Sequence, residues 1–189
     1  MAIDGIVNML KTSLDPLQIP DSRSDLNLSL LVDIQLASLK ITNTTINGLK
    51  RMRRINDGEI VTTNKGYLTK ISLSANKVVI ITTIVPSIGD WIQMDYLIPA
   101  KINIENMTID FDLKLTGFDM KPSVSNVTIR HFKNVKTHFK IGLFLYYLTD
   151  PIATILIKYF NGIFRVVLAN ILETKINQSL ANYQLNPFG

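Results

Sequence analysis

Asp110 and Asp112 stand two positions apart, a spacing at which paired carboxylates divide acid and base roles when burial differs between them. They alternate with Ile109, Phe111 and Leu113, so in a strand both fall on the polar face; the pattern predicts the wet side of a half-buried sheet. His131 and His138 are the only histidines. Their spacing would bring them to one face of a helix but to opposite faces of a strand, and the alternation Val127, Ile129, His131 predicts a strand end. A metal ion shared between them is not expected. The absence of cysteine excludes disulfides, thiolate metal sites and cysteine catalysis without fixing a compartment. There is no Gly-x-Ser-x-Gly elbow, no glycine-rich phosphate loop and no His-Glu-x-x-His. The expectation is a protein that is not an enzyme and requires no cofactor.

Charge is concentrated in one place. The net charge of +5 has its densest source in Lys50, Arg51, Arg53 and Arg54, between Asn47-Gly48 and Asn56-Asp57-Gly58. Turn residues on both sides predict a hairpin tip. With Leu49, Met52 and Ile55 alongside, such a tip suits anionic headgroups or the phosphates of bacterial lipopolysaccharide; it is equally a solvated basic turn that keeps the protein soluble. Nucleic acid is not an expected partner, because the cluster is isolated rather than part of a broad basic face with stacking aromatics.

The apolar surplus, 47% of the chain, is the stronger lead. Met94, Tyr96 and Ile98 share one face of a predicted strand. Phe144, Leu148, Ile152, Leu156, Phe160 and Ile163 approach along a predicted helix, with Tyr159 beside them. These residues either pack on one another as core or line a pocket, since ligand pockets are mostly apolar with a few orienting polar groups. In a pocket, Tyr96 and Tyr159 would offer hydroxyls, and Lys158 or Arg165 a charge for a carboxylate or phosphate head.

The elements that would position these residues are legible. Residues 150–182 read as one long helix, apolar on nearly every side until Glu173, with a thin polar seam through Lys158, Asn161 and Arg165. Such a helix must be enclosed by lipid or by protein. Asp150, Lys158 and Arg165 interrupt the run of about 20 apolar residues that a membrane span needs, so no transmembrane segment is expected. Strands supply the alternative enclosure. Leu26, Leu28, Leu30, Val32, Ile34 and Leu36 alternate with mostly polar neighbours, and Leu39 and Ile41 resume on the opposite parity, as a bulge at Ala37-Ser38 would produce. Further strands are predicted around Tyr67, Ile71 and Leu73, around Ile92 to Ile98, and around Ile109 to Leu115. Asn64-Lys65-Gly66 marks a turn, and Pro86 with Gly89-Asp90 separates the apolar run 77–85 from the next strand. A short amphipathic segment at residues 3–14 precedes the sheet. An unbroken strand from Leu26 would reach about 65 Å at about 3.3 Å per residue, and the terminal helix about 45 Å at 1.5 Å per residue. The fold class is therefore α+β: one domain over residues 1–189, with an elongated, strongly curved antiparallel sheet wrapped around a long C-terminal helix and a short N-terminal helix.

Several short stretches, taken in order, resemble the group 7 mite allergens: Ile19-Pro20-Asp21, the alternating strand, Gly48-Leu49-Lys50-Arg51-Met52-Arg53-Arg54, Thr128-Ile129-Arg130-His131-Phe132 with Asn134-Val135, and Asp150-Pro151-Ile152. The resemblance runs over roughly residues 14–180. That family is similar to one half of the bactericidal/permeability-increasing proteins, in the tubular lipid-binding superfamily with the juvenile-hormone-binding and takeout-like proteins of insects. The resemblance implies a secreted arthropod protein with a hydrophobic pocket between sheet and helix. A fatty acid, isoprenoid, sterol or tetrapyrrole pigment would be a compatible ligand. The chain departs from the family in a more basic turn and a more aromatic region at Phe144, Tyr146 and Tyr147.

Compartment signals are weaker. Lys11 is the first basic residue after Met1 and no long apolar run follows, which reads as a mature sequence with a start methionine or as a cytosolic protein. Five Asn-x-Ser/Thr sequons, at Asn27, Asn43, Asn106, Asn126 and Asn177, are candidate glycosylation sites.

Overall fold

A single antiparallel sheet dominates the computed structural model, which describes residues 2–24, 28–29, 35–56, 58–88, 97–117, 121–140, 159, 162 and 164–181. Helix α1 (Ala2–Ser13) comes first, then β1 (Leu17–Ile19), β2 (Ser22–Ser24), β3 (Leu28–Ser29) and β4 (Gln35–Asn47). A 3₁₀ turn (Leu49–Arg51), β5 (Arg53–Arg54) and β6 (Ile60–Thr63) follow. The long strands β7 (Gly66–Ile88), β8 (Ile98–Thr116) and β9 (Lys121–Phe139) precede helix α2 (Arg165–Leu180).

The short strands are pieces of longer ones. β1, β2 and β3 pair in turn with successive stretches of β4, from Leu17↔Ile46 to Ser29↔Gln35. β4, β5 and β6 likewise follow one edge of β7, from Leu36↔Ile88 through Arg53↔Ser74 to Thr63↔Gly66. The sheet is thus a meander of five long paths in the order β1–3, β4–6, β7, β8, β9.

This corrects two expectations about strands. The alternating run from Leu26 is not one strand, because Leu28 and Ser29 pair antiparallel with Leu36 and Gln35 and the chain reverses between them. Both arms belong to the same sheet and repeat with a period of two in sequence, so the period carries no mark of the turn. The expected bulge is present, as a register shift between Leu36 and Ser38. Conversely, the segments at Tyr67–Leu73 and 77–85 belong to one strand, β7, which runs through Pro86; Ile98 and the segment Ile109–Leu115 share β8.

Buried residues in β7 run Ile71, Leu73, Ala75 and then Val78, Ile80, Ile84, changing parity at Lys77, whose φ is 55°. β8 changes parity opposite, between Ile104 and Met107. On β9, Asn134, beside the Ile104↔Val135 pair, has φ 49°. These irregularities lie side by side without a register shift between the strands, which stay paired through them as the sheet curls into a half-barrel. A two-residue loop, Asn64-Lys65, joins β6 to β7. It ends on Gly66 at φ 135°, where a Cβ would lie 2.0 Å from the Leu115 carbonyl oxygen.

The two helices fill the concave face. α1 buries Ile6, Val7 and Leu10, and Leu14 follows on the same stripe. α2 buries Leu168, Ala169, Leu172, Ile176 and Leu180, a stripe at helical spacing, in the core that the sheet shares, and it lies next to β9. Tyr159 is also helical. The remainder of the expected helix before Phe164 lies outside the described residues, apart from Gly162. In the described helix one stripe is buried, and Val166, expected on an apolar stripe, is 63% exposed.

Candidate functional site

α2 is held to the sheet by polar residues on one of its faces. Arg165 donates to the carbonyl oxygens of Ile129 and Arg130. Glu173 accepts from the Val127 N–H at 3.3 Å. Asn177 accepts from the Val124 N–H at 2.7 Å and donates to the Val124 carbonyl at 2.9 Å. The geometry is commensurate: residues 165 to 177 advance about 18 Å along a helix, and residues 130 to 124 about 20 Å along a strand. The helix therefore runs antiparallel to β9 and satisfies backbone groups along an edge that would otherwise be open. Arg165, expected to offer a charge to a ligand head, instead donates to this edge, whose carbonyls have no strand partner on that side. Lys158 lies outside the described residues.

On its other side α2 faces β1 across open space. A groove of about 650 Å³ runs between them, lined by Pro16, Leu17, Ile19, Pro20 and Ile171, with polar Ser13 and Gln18 on the β1 side and Asn170, Thr174 and Lys175 on the helix. Both end paths of the sheet thus flank the same helix, one bonded to it and one separated by a groove. A second hollow of about 510 Å³ lies between α2 and β9 beside Val127, Ile129, Gly162 and Val166.

Of the expected pocket residues, Ile98 and Tyr159 are described, and both are 2% exposed members of the single core. The Tyr159 ring packs on Phe164 with centroids 5.9 Å apart. Met94, Tyr96, Phe144, Leu148, Ile152, Leu156, Phe160 and Ile163 lie outside the described residues.

The basic segment is not a hairpin tip. Lys50 and Arg51 belong to the 3₁₀ turn, and Arg53 and Arg54 form β5 against Ser74 and Leu73, well inside β7 rather than at its end. The true tip is Asn64-Lys65. Gly48, at φ 101°, lets the chain leave β4, and Leu49 and Met52 plug the core while the cations stay outside. The Asp15 carboxylate at the end of α1 accepts from the N–H groups of Gly48 and Lys50 at 3.1 and 3.0 Å. Asn56 then completes the path: its side chain donates to the Lys70 carbonyl and accepts from the Ser72 N–H, as a strand residue would. Lys50, Arg51 and Arg53 are exposed; Arg54 is half-buried, with Asp4 of α1 at 3.7 Å. Nothing in the residue pattern announced Asp15 or Asn56, since both act through backbone groups distant in sequence.

The two aspartates are not equivalent. Asp112 accepts from Asn126, while Asp110 pairs with Arg130 at 2.8 Å and keeps its second carboxylate oxygen buried. Asp110 is therefore not simply on the wet side: the neighbouring strand β9 lays Arg130 across it. Among the described residues, no group of three or more His, Cys, Asp or Glu could hold a metal ion, and no helix is long and apolar enough to cross a membrane.

The candidate sequons differ in surroundings. Asn43 and Asn126 are exposed, at φ 51° and 55°. Asn106 donates to Ser74 and Asn76 across the ladder. Asn177 is engaged with Val124 as above, and Asn27 lies outside the described residues.

Against known proteins, the chain is similar to mite allergen Lep d 7 of Lepidoglyphus destructor, 28% identical over 188 residues, which cover 97% of this chain and 85% of the allergen. The resemblance to the group 7 mite allergens thus holds along nearly the whole chain. Among solved structures, Takeout 1 of Epiphyas postvittana aligns over 95% of this chain and 92% of its own, at 14% identity and a TM-score of 0.38, a likeness too loose to add to what the strands show. No family model matches the chain.

Proposed function

We propose that this protein is a non-catalytic binder and carrier of a hydrophobic small molecule or lipid in an extracellular fluid, held between the curled sheet and the C-terminal helix. The observation that carries the reading is the 650 Å³ groove between β1 and α2, within the range of about 300–1,000 Å³ typical of ligand pockets. Apolar side chains dominate its walls and both β1 and the helix add polar ones, which suits an elongated, mostly apolar molecule that carries a polar group. At about 30 Å³ per water-sized group, the groove holds about twenty such groups. A long-chain fatty acid or a linear isoprenoid matches that size, a sterol is close to its limit, and a tetrapyrrole exceeds it. Similarity to an allergen and the exposed sequon at Asn43 support secretion.

The test is titration with an apolar fluorescent probe of the anilinonaphthalene sulfonate type. The wild-type protein is expected to enhance its emission saturably, and Thr174→Trp, which fills the groove, to weaken binding about tenfold. No saturable enhancement by the wild-type protein would remove the reading.

A second reading rests on a separate observation: Lys50, Arg51 and Arg53 are exposed on one segment beside Ile55, itself 50% exposed. Cations next to an exposed aliphatic side chain suit an anionic surface, bacterial lipopolysaccharide or an anionic membrane.

A further inference from the structure

Helix α1 and strand β5 face each other across a cleft of about 460 Å³ whose surface is mostly polar. Asp4, Asn8 and Lys11 line the helix wall, and their spacing puts them on one face of α1. Arg53 and Arg54 line the opposite wall, continued by Asn56. That wall is fixed: Arg53 and Arg54 pair with Ser74 and Leu73 of β7, and the Asn56 side chain bonds the Lys70 carbonyl and the Ser72 N–H. Three cations thus surround the cleft against one carboxylate, so its field favours an anion. Asp4 stands 3.7 Å from Arg54, and Lys11 donates to Asn8 at 3.0 Å, which occupies only part of its ammonium's donor capacity. The Arg53 side chain makes no hydrogen bond or ion pair among the described residues.

We propose that this cleft binds a phosphate monoester, its phosphate held between Lys11 on the helix and Arg53 and Arg54 on the strand. The excess of positive charge matches the charge of about −1.5 to −2 that a phosphate monoester carries at neutral pH. Its oxygens point in several directions and accept from both walls at once, which the two coplanar oxygens of a carboxylate cannot do as fully. The volume exceeds that of phosphate alone: at about 30 Å³ per water-sized group it holds about fifteen such groups, a phosphate together with a polar unit of the size of a hexose. The proposal rests on neither reading above. The cleft is separate from the groove beside α2, and Lys11 and Arg54 take no part in the anionic-surface reading.

Isothermal titration of the full chain with glucose 6-phosphate at low ionic strength tests the proposal, with glucose and acetate as comparisons. Glucose 6-phosphate is expected to bind about tenfold or more tightly than either. Lys11→Gln and Arg53→Gln are each expected to weaken it about fivefold, whereas Lys65→Gln, which removes a cation at the β6–β7 tip, is expected to change it less than about twofold. Asp4→Asn, which removes the one negative charge of the cleft, is expected to tighten it about threefold. Sedimentation with vesicles of phosphatidic acid, a phosphate monoester, against vesicles of phosphatidylserine, a diester, distinguishes the source. A preference for phosphatidic acid that Lys11→Gln removes assigns the phosphate to a lipid headgroup, and glucose 6-phosphate binding without that preference assigns it to a soluble molecule. Neither kind of binding, or glucose 6-phosphate binding unchanged by both Lys11→Gln and Arg53→Gln, would overturn the assignment.

Discussion

The side-chain amide of Asn177 on α2 bonds both backbone groups of Val124 on β9, accepting at 2.7 Å and donating at 2.9 Å. A helix residue thereby completes a sheet ladder. Removing it leaves a part-buried N–H and C=O without partners, so Asn177→Ala is expected to cost about 2 kcal/mol by chemical denaturation. Asn177→Asp retains the acceptor, loses the donor, and should fall between. Because the amide nitrogen that would carry a glycan is the donor in this pair, peptide mapping of protein from a glycosylating host should find Asn177 bare. Full occupancy there would contradict the docking of α2.

Asp15 fixes the basic segment from a distance. Its carboxylate receives the N–H groups of Gly48 and Lys50, 33 and 35 residues later. Bonds to a charged acceptor contribute about 1.5–3 kcal/mol, so Asp15→Ala should destabilise the protein by about 2 kcal/mol. Hydrogen exchange at Gly48 and Lys50 should accelerate more than at Met52, whose N–H bonds to Leu49 within the turn.

A buried hydroxyl pair offers an asymmetric test. Thr44 and Thr82 lie 2.8 Å apart through their hydroxyl oxygens, and Thr82 also donates to the Thr42 carbonyl at 3.2 Å. Thr44→Val leaves Thr82 with a partner, whereas Thr82→Val leaves the Thr44 hydroxyl with none. Thr82→Val should therefore be the costlier by about 1 kcal/mol, and adding Thr44→Val to it should recover most of that difference. Equal costs would mean that the second bond is not made in solution.

The basic segment predicts a salt signature. If it engages anionic surfaces, sedimentation with phosphatidylserine vesicles should fall steeply between low and physiological ionic strength, because exposed charges are screened beyond about 8 Å at physiological salt. Replacing Lys50, Arg51 and Arg53 with Gln should abolish the interaction and leave probe binding beside α2 intact. Vesicle binding indifferent to salt and to these substitutions would exclude this reading.

How much the sequence disclosed depended on whether a feature was local. The half-buried strands announced themselves by alternation, and α1 by its stripe from Ile6 to Leu14. Continuity was hidden where parity changes: Lys77, at φ 55°, splits β7 into two apparent runs, because a positive-φ residue need not be glycine. The reversal between β3 and β4 was hidden for the opposite reason, both arms presenting the same period. Gly48 and Asn56 resemble hairpin punctuation and misplace the basic residues at a tip. In three dimensions the first releases a 3₁₀ detour and the second mimics a strand. Arg165 looked like a ligand contact because the carbonyls that it satisfies, of Ile129 and Arg130, are distant in sequence.

The central claim is that the space beside α2 carries a hydrophobic molecule. Native mass spectrometry of the protein from its natural source, repeated under denaturing conditions, tests it most directly. The account predicts a discrete mass, lost on denaturation, that corresponds to an elongated, mostly apolar molecule that carries a polar group. Identical masses in the two conditions, together with no saturable binding of an added apolar probe, would contradict it.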